Sequence, residues 1–213
     1  MYLAQIWRYP VKSMKGEPLT TARLGPNGID GDRALQVVDG RGHVVTSRTR
    51  PGLLGLRGTT GPDGVPQVNG RPWSDPAVKV EVESAVKGPA HLELHPGEGF
   101  DILPLLVATD GAIAALHEDG RRLRPNLVIG GVDGLAERTC EGKVLRVGGV
   151  LIQMVDLRGR CIMTTFDPDT GKQDLEVLRR IQREFDGTMA LNCAVIQGGV
   201  IAVGDPVNLE TIG

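Results

Sequence analysis

The run VLRVGGVLIQMVDLRGRC, from Val144 to Cys161, decides how the chain reads. Val144 to Val147 and Val150 to Val155 are dense in β-branched and aliphatic residues, and Gly148-Gly149 separates them, which is the composition of a hairpin. The second strand delivers the chain straight to Arg158-Gly159-Arg160-Cys161, so the cysteine follows a rigid element and is held more accurately than on a free loop. The stretch runs on as RGRCIMTTFDPDTG and closes on the turn Asp167-Pro168-Asp169-Thr170-Gly171. Arg158 and Arg160 flank a thiol whose anion is both a nucleophile and a soft-metal ligand, and guanidinium groups favour that anion. A small buried hydrophobe with its arginines turned to water explains the same letters, so the rest of the chain has to decide between the two.

At 213 residues the chain can bury a core as one large or two small, intimately joined domains without disulfides. Its 30 glycines are about twice the usual ~7 %, which points to many tight turns and short strands. The expected class is mainly β with a few short helices (α+β). A net charge of −2 gives no global attraction to nucleic acid or anionic membranes. Residues 1–60, however, hold nine Lys/Arg against four Asp/Glu, and a local basic surface of that kind suits a small anionic ligand rather than a long polyanion. Cys140, Cys161 and Cys193 form no Cys-x-x-Cys pair, and an odd count leaves at least one unpaired, as in a reducing compartment. The opening residues lack an apolar run of signal-peptide length, and Ile102 to Ala108 is too short to cross a bilayer. A soluble, cytoplasmic, monomeric protein is expected.

Leu3 to Tyr9 reads as a strand broken at Pro10. The loop VKSMKG follows, where Lys12, Ser13 and Lys15 could hold a phosphate through side chains and backbone amides. Gly28 to Arg33 leads into a strand from Ala34 to Val38, which Asp39 to Gly42 turns back into His43 to Thr46. Arg33, beside Asp32, is either half of a structural pair or a ligand-facing guanidinium. Val78 to Glu83 alternates as a half-buried strand, and so does His91 to His95, whose two histidines lack a third partner for zinc. Leu103 to Ala108 reads as a buried strand, with Asp110 capping a short helix from Gly111 to His117. Arg124 and Asn126 flank Pro125 ahead of a strand from Leu127 to Ile129. That corner is either a site for an anionic or heterocyclic ligand or a plain surface turn. Asp174 caps an amphipathic helix that packs Leu175, Leu178, Ile181 and Phe185. Leu191 to Gln197 and Val200 to Val203 read as a second hairpin about Gly198-Gly199, which favours a closed or nearly closed antiparallel sheet.

In order, YPVKSMKG, GIDGDR, TSR, LPLLVATD, LRPNLVIGG, RGRCIMTTFDPDTG and VGDPV resemble the MOSC-domain proteins, in particular the amidoxime-reducing components and their bacterial relatives. The resemblance covers nearly the whole chain. It implies an N-terminal β-barrel region over residues 1–90 and a MOSC-type β-barrel domain over 91–213, with a molybdenum cofactor (Mo-molybdopterin) between them. It carries metal ligation, and with it the catalytic centre, onto Cys161. Cofactor contacts fall on Lys12, Ser13, Arg33, Arg124, Asn126 and Arg160, and also on Thr109 and Asp110. The implied activity is two-electron reduction of small N-hydroxylated substrates, amidoximes or hydroxylamines. An iron–sulfur cluster needs about four closely spaced cysteines, so electrons are expected from a separate flavin, haem or iron–sulfur protein. A carrier that holds the cofactor or a persulfide on Cys161 without turnover is the alternative, and an interaction module that keeps only the fold is a third reading. Met14 in the lysine loop, Ala34 after GDR and Asn192-Cys193 depart from the family pattern, which bears on pocket shape and substrate range.

Overall fold

In the computed structural model, which describes residues 1–95, 97 and 99–210, one eight-stranded sheet draws on both ends of the chain. Its order is Val207–Glu210, Val144–Val147, Val150–Gly159, Thr188–Gln197, Leu105–Thr109, Leu127–Gly130, Tyr2–Arg8 and Glu17–Leu19. The hydrogen-bonded order is open, and three sheets of three strands complete a mainly β fold. Three α-helices are described: α1 (Pro76–Val86), α2 (Asp110–Leu116) and α3 (Leu175–Glu184). The hairpin about Gly148-Gly149 is present, from Val144 opposite Gln153 to Val147 opposite Val150, and its second strand ends two residues before Cys161. Within the large sheet, Leu105–Thr109 and Leu127–Gly130 run parallel, and α2 lies in the crossover that a parallel pair requires.

Strand pairing does not respect a line at residue 90. Tyr2–Arg8 pairs with Leu127–Gly130, and Thr21–Gly25 pairs with Gly199–Ala202. The inner face of the large sheet buries Leu3, Ile6, Leu105, Leu127, Ile152 and Leu191 in one core. A second core gathers Val11, Met14, Leu35 and Leu53 under α1, and a third lies between α2 and α3. Met14 is 0 % exposed, so the lysine loop is nailed to the second core by its own middle residue.

Three expectations need correction. Val78 to Glu83 is not a strand but the middle of α1. Asp75 accepts from the Ala77 amide at 2.8 Å and Pro76 stands in the first turn, an N-terminal signal that outweighs the β-branched composition. Val78, Val82 and Val86 share the buried face at helical spacing, while Val80 is 65 % exposed. The second correction concerns the hairpin about Gly198-Gly199. A Cβ on Gly198 would lie 2.4 Å from the Leu24 carbonyl, and at this close approach the chain leaves the large sheet to pair with Thr21–Gly25. The third concerns helix ends. Thr109, not Asp110, caps α2 by accepting from the Ala112 amide, and α3 buries Val177 and Ile181 while Leu175 stays exposed.

Candidate functional site

A cleft of about 1270 Å³, its open mouth included, forms where the lysine loop, the turn before Leu35 and the end of Val150–Gly159 converge. Lys12, Ser13 and Arg33 line it from the N-terminal half, and Arg124, Arg158, Arg160 and Cys161 from the C-terminal half. Arg48 joins them. Of the three cysteines only Cys161 lines the cleft. Cys193 is buried in the main core, which drives its thiol pKa strongly upward, and burial also raises Cys140. Arg160 donates its amide to Gly187 O at 2.8 Å, and the Cys161 carbonyl accepts from the Thr164 amide at 3.0 Å and its hydroxyl at 2.9 Å, so the cysteine is fixed from both sides.

Tyr9 is the post around which the two halves meet. The Arg124 guanidinium stacks over its ring at 4.3 Å and Arg33 lies 5.7 Å from the same centroid. The Tyr9 hydroxyl donates to Pro125 O at 3.2 Å, and burial pushes its pKa up to about 12. Ser13, Arg33 and Arg124 all have left-handed backbone, with φ of 74°, 51° and 55°. Such conformations are uncommon away from glycine and persist where the surroundings hold them. Arg33 is both things its sequence context allowed, since it pairs with Asp32 and also lines the cleft.

Sequence reasoning missed the acid that sits among these cations. Asp101 receives Lys12 at 2.9 Å, Arg48 at 2.8 Å and Arg158 at 3.6 Å. Burial alone would raise its carboxyl pKa, but the Lys12 hydrogen bond and the charges of Lys12, Arg48 and Arg158 outweigh this and hold it below the ordinary value. Among the described residues lining the cleft it is the one carboxylate. Nothing in the local sequence GFDIL marks it, because its partners are distant in the chain. Arg158 also donates to Asn192 Oδ1 at 3.0 Å, and Asn192 in turn donates to Asp156 at 3.0 Å. Burial and the neighbouring Arg158 charge pull Arg160 down to about 10. Its Nη2 donates to Leu123 O at 2.7 Å, but its buried Nε has no partner among the described residues.

Three expected contacts lie elsewhere. Asn126 is fully buried beside the cleft, bonding Leu106 N, Trp7 O and Asp32 Oδ2, and so ties the Arg124 corner to the Asp32 turn. Thr109 donates its hydroxyl to buried Glu137 at 3.0 Å and caps α2. Asp110 is spent on the amides of Gly111, Gly131 and Val132. All three hold the frame instead of lining the cleft. The lysine loop differs in the same way, because the amides of Lys12, Met14 and Lys15 already bond Leu35 O, Val11 O and Leu56 O. Lys12 therefore offers its side chain.

Family models place these observations. The MOSC N-terminal beta barrel domain matches residues 1–97 and the MOSC domain matches residues 108–208. The chain is a MOSC-domain protein. It is 28% identical to "Mitochondrial amidoxime reducing component 2" of Homo sapiens, with 96% of this chain and 82% of that one covered. "Mitochondrial amidoxime-reducing component 1" of Homo sapiens is likewise 28% identical, over 97% of this chain and 82% of its own length. Among solved structures, the YUAD protein of Bacillus subtilis shares the fold at a TM-score of 0.51 and 12% identity, covering 100% of this chain and 96% of that one. No helix among the described residues is long and apolar enough to cross a membrane. The donor set of this MOSC protein suits a phosphorylated, hydrogen-bonding ligand that carries a soft metal. Ser13 lines the cleft, and among the described residues the Arg160 Nε lacks a partner and Arg124 faces no carboxylate within ion-pair distance, while Cys161 adds one soft ligand.

Proposed function

We propose that this cleft holds a pterin-bound molybdenum cofactor and that the protein reduces N-hydroxylated compounds with electrons from a separate donor protein. MOSC domains are associated with that cofactor in general, and the similar human proteins carry amidoxime reduction in their names. The observation that carries the reading is the convergence of one cleft-lining thiol, Cys161, with cations from both halves of the chain. Lys12, Ser13 and Arg33 would hold the phosphate, Arg124 and Arg160 the polar pterin, and Cys161 the metal.

When bound, the cofactor supplies a metal that passes two electrons to the substrate. The net change takes two electrons and two protons, cleaves the N–O bond and releases water. Asp101, whose carboxyl three cations hold below its ordinary pKa, is a poor proton donor at neutral pH. The protein's own contribution is to fix orientation, as the strained backbone at Ser13, Arg33 and Arg124 and the Arg158–Asn192–Asp156 chain indicate.

The test is metal analysis with pterin fluorescence on protein purified from a cofactor-competent host, followed by a reduced-dye assay with an amidoxime. Stoichiometric molybdenum with turnover is expected. Stoichiometric metal without turnover supports a carrier, and absence of the pterin overturns the assignment.

A further inference from the structure

A second cleft, of about 540 Å³ with its mouth included, opens on the other side of Arg124 and Met163, which border both. The chain has only seven aromatic residues, yet Trp7, Tyr9 and Phe166 all line this cleft. Tyr9 is 3 % and Phe166 8 % exposed, so the walls are preformed. Its charge is unbalanced. Arg121 is neutralised by Asp119 at 2.6 Å and Asp169 at 2.7 Å, and the Asp167 carboxylate is taken up by Thr170, the Asp169 amide and Arg122. Lys15, Arg57 and Arg124 remain without an ion-pair partner among the described residues, and Lys15 Nζ donates only to the Asp169 carbonyl at 3.1 Å.

An aromatic slot edged by three uncompensated cations has a defined complement. A polyphosphate leaves the ring walls unfilled, and a neutral arene leaves the cations unanswered. We propose that this second cleft binds a small planar aromatic carboxylate, with its ring among Trp7, Tyr9 and Phe166 and its carboxylate facing Lys15, Arg57 and Arg124. The site goes beyond the reductase reading and stands without it, since it needs no metal. Because Arg124 borders both clefts, its occupant is placed to influence the Cys161 side.

Trp7 and Trp73 are the two tryptophans, so Trp73→Phe leaves Trp7, which lines the site, as the sole tryptophan, read selectively by excitation beyond tyrosine absorption. Titration of that variant with benzoate is expected to give a saturable change, with benzamide and cyclohexanecarboxylate each binding about tenfold more weakly. Arg57→Gln should weaken benzoate about tenfold while leaving benzamide unchanged, whereas Arg48→Gln in the first cleft should leave both unchanged. Trp73 packs partly buried against the second core. If its replacement does not fold, fluorine NMR of 4-fluorobenzoate and 4-fluorobenzamide with the unaltered chain makes the same comparison. Equal binding of the acid and the amide, no saturation by about 10 mM benzoate, or a loss on Arg48→Gln matching that on Arg57→Gln each overturn the proposal. The cofactor-free chain suffices, so failure here is separable from failure of the reductase reading.

Discussion

Asp101 is an internal competitor for the site it occupies. Its carboxylate neutralises Lys12, Arg48 and Arg158, the charges that an incoming anion would use. Asp101→Asn leaves those cations facing one another, and the free protein is expected to lose about 1 kcal/mol, the scale of a partly exposed ion pair. Inorganic phosphate, no longer opposed, should bind about tenfold more tightly by calorimetric titration. Unchanged phosphate affinity would show that the carboxylate is not in competition. The pH dependence has a definite sign. Burial tends to raise this carboxyl, but its cationic neighbours win and hold it below its ordinary value. Its stabilising contribution is thus in place above the unfolded value and is lost as pH falls through the lower folded value, so Asp101→Asn should flatten the acid limb of a stability curve below about pH 4. Cys161 calls for the opposite profile. Its sulfur makes no hydrogen bond among the described residues, so Cys161→Ser should move the melting temperature by no more than about 1 °C. A hydroxyl is a poor replacement for a soft anionic ligand, so bound molybdenum and turnover should both vanish. Retained metal by elemental analysis would remove Cys161 as the ligand.

At the scale of elements, local signals decide where they are strong, and α1 shows which ones count. Its alternating valines imitate a strand, yet Asp75-Pro76 already marks a helix start, and Val78, Val82 and Val86 already fall at helical spacing. Asp75→Ala should therefore cost about 1 kcal/mol, read from denaturant melts of the whole chain. A neutral result would move the credit for this helix to the packing of Val78 and Val82 on the second core. The hairpin at Gly148-Gly149 was legible because its two strands pair with each other, and the cleft-lining set of Lys12, Ser13, Arg33, Arg124, Arg160 and Cys161 was legible as basic or nucleophilic residues on turns. What could not be read depends on partners far away in sequence. Gly198 looks like a turn but is the crossing from one sheet to another, a fact set by the Leu24 carbonyl. Thr109, Asp110 and Asn126 carry the polarity of ligand contacts, yet Glu137, the Gly131–Val132 amides and Asp32 claim them first. Asp101 has three partners, at positions 12, 48 and 158, and no local pattern encodes such a meeting.

The whole molecule behaves as a clamp because its sheet and its cleft both join the two halves of the chain. Tyr2–Arg8 lies beside Leu127–Gly130, and on the same strand path Tyr9 stands between Arg33 and Arg124. The protein as a whole carries a charge of only −2, so the field that draws an anion is local to the cleft and short-ranged. An anion bound there touches residues contributed by both halves and is absent from the unfolded chain, so its binding energy adds to the stability of the entire fold. Pyrophosphate at about a hundred times its dissociation constant should contribute about 2.7 kcal/mol. For a chain of this size that is a rise of about 5–10 °C in melting temperature. Raising the salt should shrink the rise, because screening weakens the attraction between anion and cations. The shape of the transition carries as much information as its midpoint. If the halves form one cooperative unit, fluorescence and far-ultraviolet circular dichroism should report a single transition that moves intact when pyrophosphate is added. Two transitions, of which pyrophosphate shifts only one, would place the anion on one half alone and break the link between the shared sheet and the shared cleft.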